Sequence, residues 1–149
     1  MKFEGFMDIL PLTDGVVELN LKSKIPADPA KGWVPSYEFD ICVGGEVVGQ
    51  IRLRIGMTDY MFLSGQVGYN VDEAHSGNGY ATRAAKLIVP VAKFHEINNL
   101  LITTDINNIG SNRVCQKLGA NLVETLPTPE WHDTYAEGWR ETNIYEWNL

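Results

Sequence analysis

The chain has 149 residues, of which 44% are hydrophobic, and a formal net charge of −7 at pH 7. The excess of carboxylates argues against a nucleic-acid-binding surface, which needs clustered Lys and Arg. No apolar run approaches the roughly 20 residues of a membrane-spanning helix, and residues 1–5 lack the apolar core of a signal peptide. No linker-like segment divides the sequence, so we expect one domain over residues 1–149, with neither a nucleic-acid nor a membrane partner.

The two cysteines, Cys42 and Cys115, lie far apart in the sequence and lack the spacing of a metal-binding or redox motif. Such cysteines are typical of reduced thiols in a cytosolic protein. We therefore expect a cytoplasmic protein without a metal site.

Hydrophobic alternation and short apolar runs predict seven strands. They lie at residues 16–22, 37–43, 46–55, 66–71, 100–104, 121–126 and 140–147. Gly44 and Gly45 are a two-residue hairpin signal between the second and third strands. Residues 23–36 contain three prolines, which argue against a helix in that segment.

Apolar residues with helical spacing predict a helix over residues 79–95. Pro90 should kink this helix, because proline lacks the N–H donor that the helix interior requires. A second, short helix is predicted to end at residues 117–119, and residues 127–138 are predicted to form a loop. This order of elements predicts an α/β (α+β) domain with a mixed, mostly antiparallel central sheet.

Residues 71–82 run from a predicted strand through a glycine-rich turn into a predicted helix. Gly77 and Gly79 permit a tight turn and a close approach of a ligand to the backbone. The start of the helix offers unpaired N–H groups and the positive end of the helix dipole, which together suit an anion such as phosphate. The spacing of the glycines matches neither a P-loop nor a dinucleotide-binding fingerprint.

Residues 76–81 resemble the acyl-CoA-binding motif of the GNAT superfamily of N-acetyltransferases, Arg/Gln-x-x-Gly-x-Gly/Ala. Ser76 stands where the family usually carries Arg or Gln. A second block resembles the family's Asn-x-x-Ser followed by a helix that closes on Lys-x-Gly, with Asn108 and Ser111 in the matching places. The two blocks together cover residues 67–119.

The resemblance implies a GNAT-like fold, with helices on both faces of the sheet, and a GNAT-type reaction. The acetyl group of acetyl-CoA would be transferred to a primary amine of a small molecule, peptide or protein by direct attack of the amine on the thioester. The N-terminal helical region, which the family places between its first two strands, would be abbreviated here. The acceptor site would then be unusually open or completed by another subunit, and a homodimer is a possible assembly.

The resemblance also implies which residues bind acetyl-CoA. A backbone N–H near Val71 would contact the developing oxyanion, and the N–H groups from Gly77 through Ala81 would hold the pyrophosphate. Asn108 would contact the pantetheine arm or the adenosine side. The complete implied set is Val71, Ser76, Gly77, Asn78, Gly79, Tyr80, Ala81, Thr82, Asn108 and Ser111.

The catalytic candidates are Cys115, Tyr69 and Tyr135. Cys115 occupies the position at which many family members carry a Tyr that protonates the departing thiolate, although a buried structural thiol is the competing interpretation. A base must also remove a proton from the amine, whose pKa is roughly 10. The candidate bases flank a strand end or lie in the predicted late loop, namely Tyr69, Asp72, Glu73, Glu130, His132, Asp133, Tyr135 and Glu137.

Two other functions stay open from the sequence alone. One is an acyl-CoA-binding protein without turnover, a sensor or pseudoenzyme, which is favoured by Ser76 and by the missing Tyr. The other is a domain whose sheet serves mainly for oligomer contact. Binding of CoA would exclude the second alternative, and consumption of acetyl-CoA that rises with an added amine would exclude the first.

Overall fold

The computed structural model describes residues 1–149 and contains two antiparallel sheets. The first sheet has five strands in the order in which they occur along the chain. They are β1 (Leu12–Thr13), β2 (Val17–Ile25), β3 (Ser36–Val43), β4 (Glu46–Arg54) and β5 (Val67–Val71). The predicted turn at Gly44 and Gly45 joins β3 to β4.

The second sheet has three strands in the order β6-β8-β7. They are β6 (Asn99–Asp105), β7 (Asn121–Pro127) and β8 (Glu141–Asn148). All seven predicted strands are therefore confirmed, with ends that differ by three residues or fewer from the predictions. The mixed α+β architecture with antiparallel sheets also agrees with the predicted fold class.

Five helices connect or follow these strands. They are α1 (Asp59–Ser64), α2 (Tyr80–Leu87), α3 (Val89–Phe94), α4 (Ile109–Lys117) and α5 (Asp133–Ala136). Helix α2 packs on β2, β4 and β5, and α4 packs on β6 and on α2. None of these helices is both long enough and apolar enough to cross a membrane.

The predicted helix over residues 79–95 was wrong in its continuity, because it is divided into α2 and α3 at Ile88. Pro90 lies in the first turn of α3, where backbone N–H groups have no acceptor within the helix. The N–H that proline lacks therefore costs no helical hydrogen bond at this position. The proline therefore begins a new helix instead of kinking an existing one. The predicted apolar face is nevertheless preserved, since Ala84, Ile88 and Val91 are all fully buried.

Two short helices were not predicted. Helix α1 begins after Thr58, whose side-chain oxygen accepts a hydrogen bond from the Met61 N–H at 3.2 Å. Helix α5 lies within residues 127–138, which were predicted to be loop. The proline-containing segment between β2 and β3 agrees with the prediction, since it holds only a short 3-10 turn at Pro29–Lys31.

The two sheets are joined at Gln66, immediately before β5. Its backbone N–H donates to the Leu101 carbonyl at 2.7 Å, and its side-chain oxygen accepts from the Leu101 N–H at 2.9 Å. The side-chain amide donates to the Gly56 carbonyl at 3.2 Å. A side chain at Gly65 would press on the backbone of Thr103, because a Cβ there would lie 2.9 Å from the Thr103 nitrogen. β5 and β6 therefore approach closely at this one point.

Replacing Gln66 with Leu is expected to lower the free energy of unfolding by about 2 to 3 kcal/mol, because the Leu101 N–H and the Gly56 carbonyl lose their partners inside the protein. Chemical denaturation measures this change. The exposed Gln116 on α4 provides the control, and Gln116→Leu should stay within about 0.5 kcal/mol of the parent protein. A Gln66→Leu variant as stable as the parent would contradict the role of Gln66 in joining the sheets.

Candidate functional site

The glycine-rich turn after β5 has the backbone conformation that the sequence predicted. Gly77 and Gly79 have φ angles of 81° and 76°, in the left-handed region that strongly favours glycine. A short 3-10 turn at Glu73–His75 precedes them. Two side chains hold the turn: the Ser76 hydroxyl donates to the Glu73 carbonyl at 2.8 Å, and the Asn78 amide donates to the His75 carbonyl at 3.0 Å.

The backbone N–H groups from Gly77 through Thr82 have no hydrogen-bond partner within the protein. The first residues of α2 are among them, so the unpaired donors coincide with the positive end of the helix dipole. The Thr82 hydroxyl is buried and also lacks a partner. Buried polar groups normally form hydrogen bonds, so the Thr82 hydroxyl is suited to bond with a polar atom of a bound ligand.

A cavity of about 420 Å³, here called the cradle cavity, lies over this turn between β5, α2 and α4. All of the residues predicted to bind acetyl-CoA line it: Val71, Ser76, Gly77, Asn78, Gly79, Tyr80, Ala81, Thr82, Asn108 and Ser111. Asp72 and Glu73 are not among the lining residues, and no other carboxylate is. The cavity therefore offers donors to an anion without a facing negative charge.

The positive charges of the cradle cavity come from α4, where Arg113 and Lys117 line its wall. Sequence reasoning assigned neither to ligand binding, although their spacing of four residues places them on one helix face. Arg83 and Lys86 lie on α2, the helix that follows the turn. The Arg83 guanidinium is engaged by Asp14 at 2.9 Å, and neither residue lines the cavity.

Tyr69 lies where α4 approaches β5. Its hydroxyl donates to the Ser111 carbonyl at 3.2 Å, lies 3.0 Å from the Ser111 hydroxyl, and is 3.8 Å from the Cys115 sulfur. Burial raises the pKa of Tyr69 far above its ordinary value, and the neighbouring Cys115 raises it further. The Tyr69 phenol therefore stays protonated at neutral pH, so it can donate a hydrogen bond but is a weak acid.

Cys115 is 0% exposed and does not line the cradle cavity. Burial raises the pKa of its thiol to about 11, so the thiolate is disfavoured. These surroundings suit a structural thiol packed behind Tyr69.

A second cavity of about 290 Å³, here called the cleft cavity, lies between β5 and β6 beyond Tyr69. It shares Tyr69, Asn108 and Ser111 with the cradle cavity. Its character differs, because three carboxylates line it, from Asp105, Asp133 and Glu137. No group of three or more His, Cys, Asp or Glu side chains is arranged to hold a metal ion.

Asn108 has a structural role beside the two cavities. It is the N-cap of α4, and its side-chain oxygen accepts a hydrogen bond from the Ser111 N–H at 3.0 Å. This cap fixes the start of α4 and thereby the position of Ser111 opposite Tyr69.

The late loop brings His132 to the cleft cavity, but both of its ring nitrogens are engaged. Nδ1 accepts from the Thr134 N–H at 3.3 Å, so Nε2 carries the ring proton and lies 3.1 Å from the Ser64 hydroxyl. The residue is 2% exposed and stacks on Tyr60. His132 therefore positions the late loop against Ser64 and Tyr60.

Tyr135 is not brought to either cavity. Its ring lies 3.8 Å from the guanidinium carbon of Arg140, which also donates to the Tyr135 carbonyl at 2.9 Å. Asp72, Glu73 and Glu130 also line neither cavity. The structure therefore brings together Tyr69, Ser111 and the acidic residues of the cleft cavity.

The chain is similar to known acetyltransferases. The acetyltransferase (GNAT) domain model matches residues 5–121. The probable N-acetyltransferase YjcK of Bacillus subtilis (strain 168) is 42% identical over 55 residues, which are 36% of this chain and 30% of the relative. The match thus spans less than a third of the length of that relative.

Solved structures agree in fold. The ribosomal L7/L12 alpha-N-protein acetyltransferase RimL in complex with coenzyme A has a TM-score of 0.69 and 14% identity, over 94% of this chain and 98% of that one. The microcin C7 self-immunity acetyltransferase MccE in complex with acetyl-CoA and AMP has a TM-score of 0.60 and 18% identity, over 76% of this chain and 61% of that one. With a family match that covers more than three quarters of its residues, the chain belongs to the GNAT acetyltransferases.

Proposed function

We propose that the protein is an N-acetyltransferase that transfers the acetyl group of acetyl-CoA to a primary amine of a small molecule, peptide or protein. The observation that carries this proposal is the meeting of two cavities of opposite charge at Tyr69 and Ser111. The cradle cavity has unpaired N–H donors and two cations, which suit the phosphates of CoA. The cleft cavity has three carboxylates, which suit an amine.

The cosubstrate would be held mainly by the backbone of residues 77–82, with Arg113 and Lys117 near its phosphates. Bound acetyl-CoA supplies an activated thioester. The Val71 N–H, at the end of β5, is our proposed donor to the oxyanion that develops on the carbonyl. Asn108 and Ser111 line both cavities and would lie beside the pantetheine arm.

The amine must lose a proton before it attacks the thioester. Asp105 and Glu137 line the cleft cavity and are proposed to accept this proton, directly or through water. The amine nitrogen then forms a bond to the acetyl carbon, and the carbon–sulfur bond breaks. A second proton leaves the nitrogen as the amide forms and passes, directly or through water, to the CoA thiolate. The products are the acetylated amine and CoA.

Tyr69 is proposed to donate a hydrogen bond to the departing thiolate and so to stabilise its negative charge. Its hydroxyl lies where the two cavities meet, and its raised pKa keeps it protonated. A phenol from β5 would thus replace the phenol that many family members carry on the helix. We accordingly favour Tyr69, which lines both cavities, over Cys115 and Tyr135, which line neither, as the residue that stabilises the departing thiolate.

The similar structures RimL and MccE indicate which kinds of amine acceptor to test. The name of RimL places a protein α-amine among the acceptors of this fold, and the MccE structure contains AMP beside acetyl-CoA. These acceptors belong to those proteins. For this chain, the cleft cavity supports an amine as the reacting group and leaves the rest of the acceptor to be identified by assay.

We also propose a cytoplasmic single-domain protein that forms a homodimer. The two buried, unpaired cysteines support a reducing compartment. Leu122 and Val123 are exposed on β7, which pairs only with β8 and leaves its other edge free. Sedimentation or light scattering at micromolar concentration determines the oligomeric state.

Replacing Lys117 with Ala should weaken acetyl-CoA binding about 5- to 10-fold, because an exposed cation beside the phosphates is lost. Isothermal titration calorimetry gives the dissociation constant. Lys93→Ala is the matched control, since Lys93 is an exposed lysine on α3 outside the cradle cavity. Equal affinities for the two variants would argue against phosphate binding at this wall.

An amine panel tests turnover. The release of CoA thiol from acetyl-CoA should rise with added amine in proportion to enzyme concentration. Binding of acetyl-CoA without amine-dependent release would instead support the non-catalytic acyl-CoA-binding protein. Absence of binding would contradict both functions.

Tyr69→Phe should lower kcat about 10- to 100-fold, because a hydrogen bond to the charged thiolate is lost, with little change in acetyl-CoA affinity. Because the pKa of Tyr69 is raised far above neutrality, the wild-type pH profile should show no alkaline loss from this residue below about pH 10. Steady-state kinetics across pH provides the measurement. Cys115→Ala should retain kcat within a few fold, and a larger loss in Cys115→Ala than in Tyr69→Phe would reverse the assignment.

A further inference from the structure

Arg54, the last residue of β4, lines the cleft cavity without a carboxylate partner. Its side chain makes a single hydrogen bond, from Nη1 to the Gly65 carbonyl at 3.2 Å. Burial lowers its pKa to about 10, and the like charge of Arg52 contributes. Most of the donors of this guanidinium are therefore free on the wall of a cavity.

The other arginines of this region are occupied. Arg52, two residues earlier on β4, is paired with Glu38. Arg83 is paired with Asp14, and Arg140 stacks on Tyr135. A partly buried arginine normally has an anionic partner, since the planar guanidinium fork matches a carboxylate or phosphate. Arg54 and the exposed Arg113 of the cradle cavity lack such a partner, and Arg54 is the half-buried one that faces the cleft cavity.

A third cavity of about 580 Å³, here called the flanking cavity, continues from the cleft cavity past Arg54. The two share Arg54, Ser64 and Asp133. Lys31 and Trp33 also line the flanking cavity, and the Lys31 ammonium lies 4.5 Å from the Trp33 ring centre. Three cations and one carboxylate line the flanking cavity, and since Arg52 is paired with Glu38 and Lys31 with Asp28, Arg54 is its one unpaired cation.

We propose that Arg54 binds an anionic group, a carboxylate or a phosphate, carried by the amine acceptor. This inference rests on the proposed acetyltransferase function and specifies its substrate class. The acidic residues beyond Tyr69 would receive the amine, and Arg54 would receive the anion. Because Arg54 and the carboxylates of the cleft cavity line the same space of about 290 Å³, the two charges of the acceptor are separated by a short spacer.

Pairs of amines that differ only in the anion test this proposal. β-Alanine is compared with 3-aminopropanamide, and 2-aminoethyl phosphate is compared with ethanolamine. The quantity measured is the ratio of kcat/KM for the charged member to that for the neutral member. We expect a ratio of about 10 to 100 in the wild-type protein for the pair whose anion fits.

The same ratio is then measured in variants. Arg54→Gln should lower the ratio of kcat/KM values to about 1. Arg54→Lys should give an intermediate ratio, because the positive charge is kept and the planar guanidinium is lost. Arg83→Gln is the control, since it removes an arginine that lines none of the three cavities, and it should keep the wild-type ratio. The better pair identifies carboxylate or phosphate as the anion.

An unchanged ratio in Arg54→Gln, or a wild-type ratio near 1 for both pairs, would overturn the inference while leaving acetyl transfer intact. If no amine is acetylated, the proposed function fails, and direct binding then decides the role of Arg54. Saturation-transfer NMR should show β-alanine or 2-aminoethyl phosphate bound to the wild-type protein and less bound to Arg54→Gln. Equal signals, or none, would overturn the inference.

Discussion

The hydrogen bonds of Gln66 are the constraint on which the candidate site depends. They join the two sheets at the start of β5, where a glycine brings β5 and β6 into close approach. Farther along, side chains of both strands line the cleft cavity, so the strands have separated. Because β5 and β6 are joined at Gln66 and then separate, they form a cleft with a strand on each side. Strands are rigid, and a reaction between two bound substrates requires rigid walls that hold both in position.

Charge is distributed over this cleft in three zones. The cradle cavity is lined by cations, the cleft cavity is mostly acidic, and the flanking cavity is again mostly cationic. The net charge of −7 gave no sign of this alternation, because net charge describes the whole surface and not a local site. For a reaction between a polyphosphate-bearing thioester and an amine, such alternation separates the binding of one substrate from that of the other.

The strand pattern and the glycine-rich turn could be predicted because both depend on local chemistry, namely side-chain alternation and left-handed backbone at Gly77 and Gly79. The division of the helix before Pro90 was missed, since a proline can kink one helix or begin another and only packing decides between them. Arg54, Asp105 and Arg113 could not be assigned from sequence. Their roles depend on which side chains already have partners, and those partners are distant along the chain.

Binding of the pyrophosphate by main-chain N–H groups also determines which residues of the turn can be substituted. The donors that would hold the pyrophosphate are main-chain N–H groups, which every residue except proline possesses. The Ser76 side chain turns back to the carbonyl of Glu73 and supports only its own turn. Substitution at position 76 would remove one hydrogen bond that holds the turn but no backbone donor, whereas replacing either left-handed glycine would strain the backbone that carries those donors. The geometry of the turn in this chain therefore depends more on Gly77 and Gly79 than on the chemistry of the side chain at position 76.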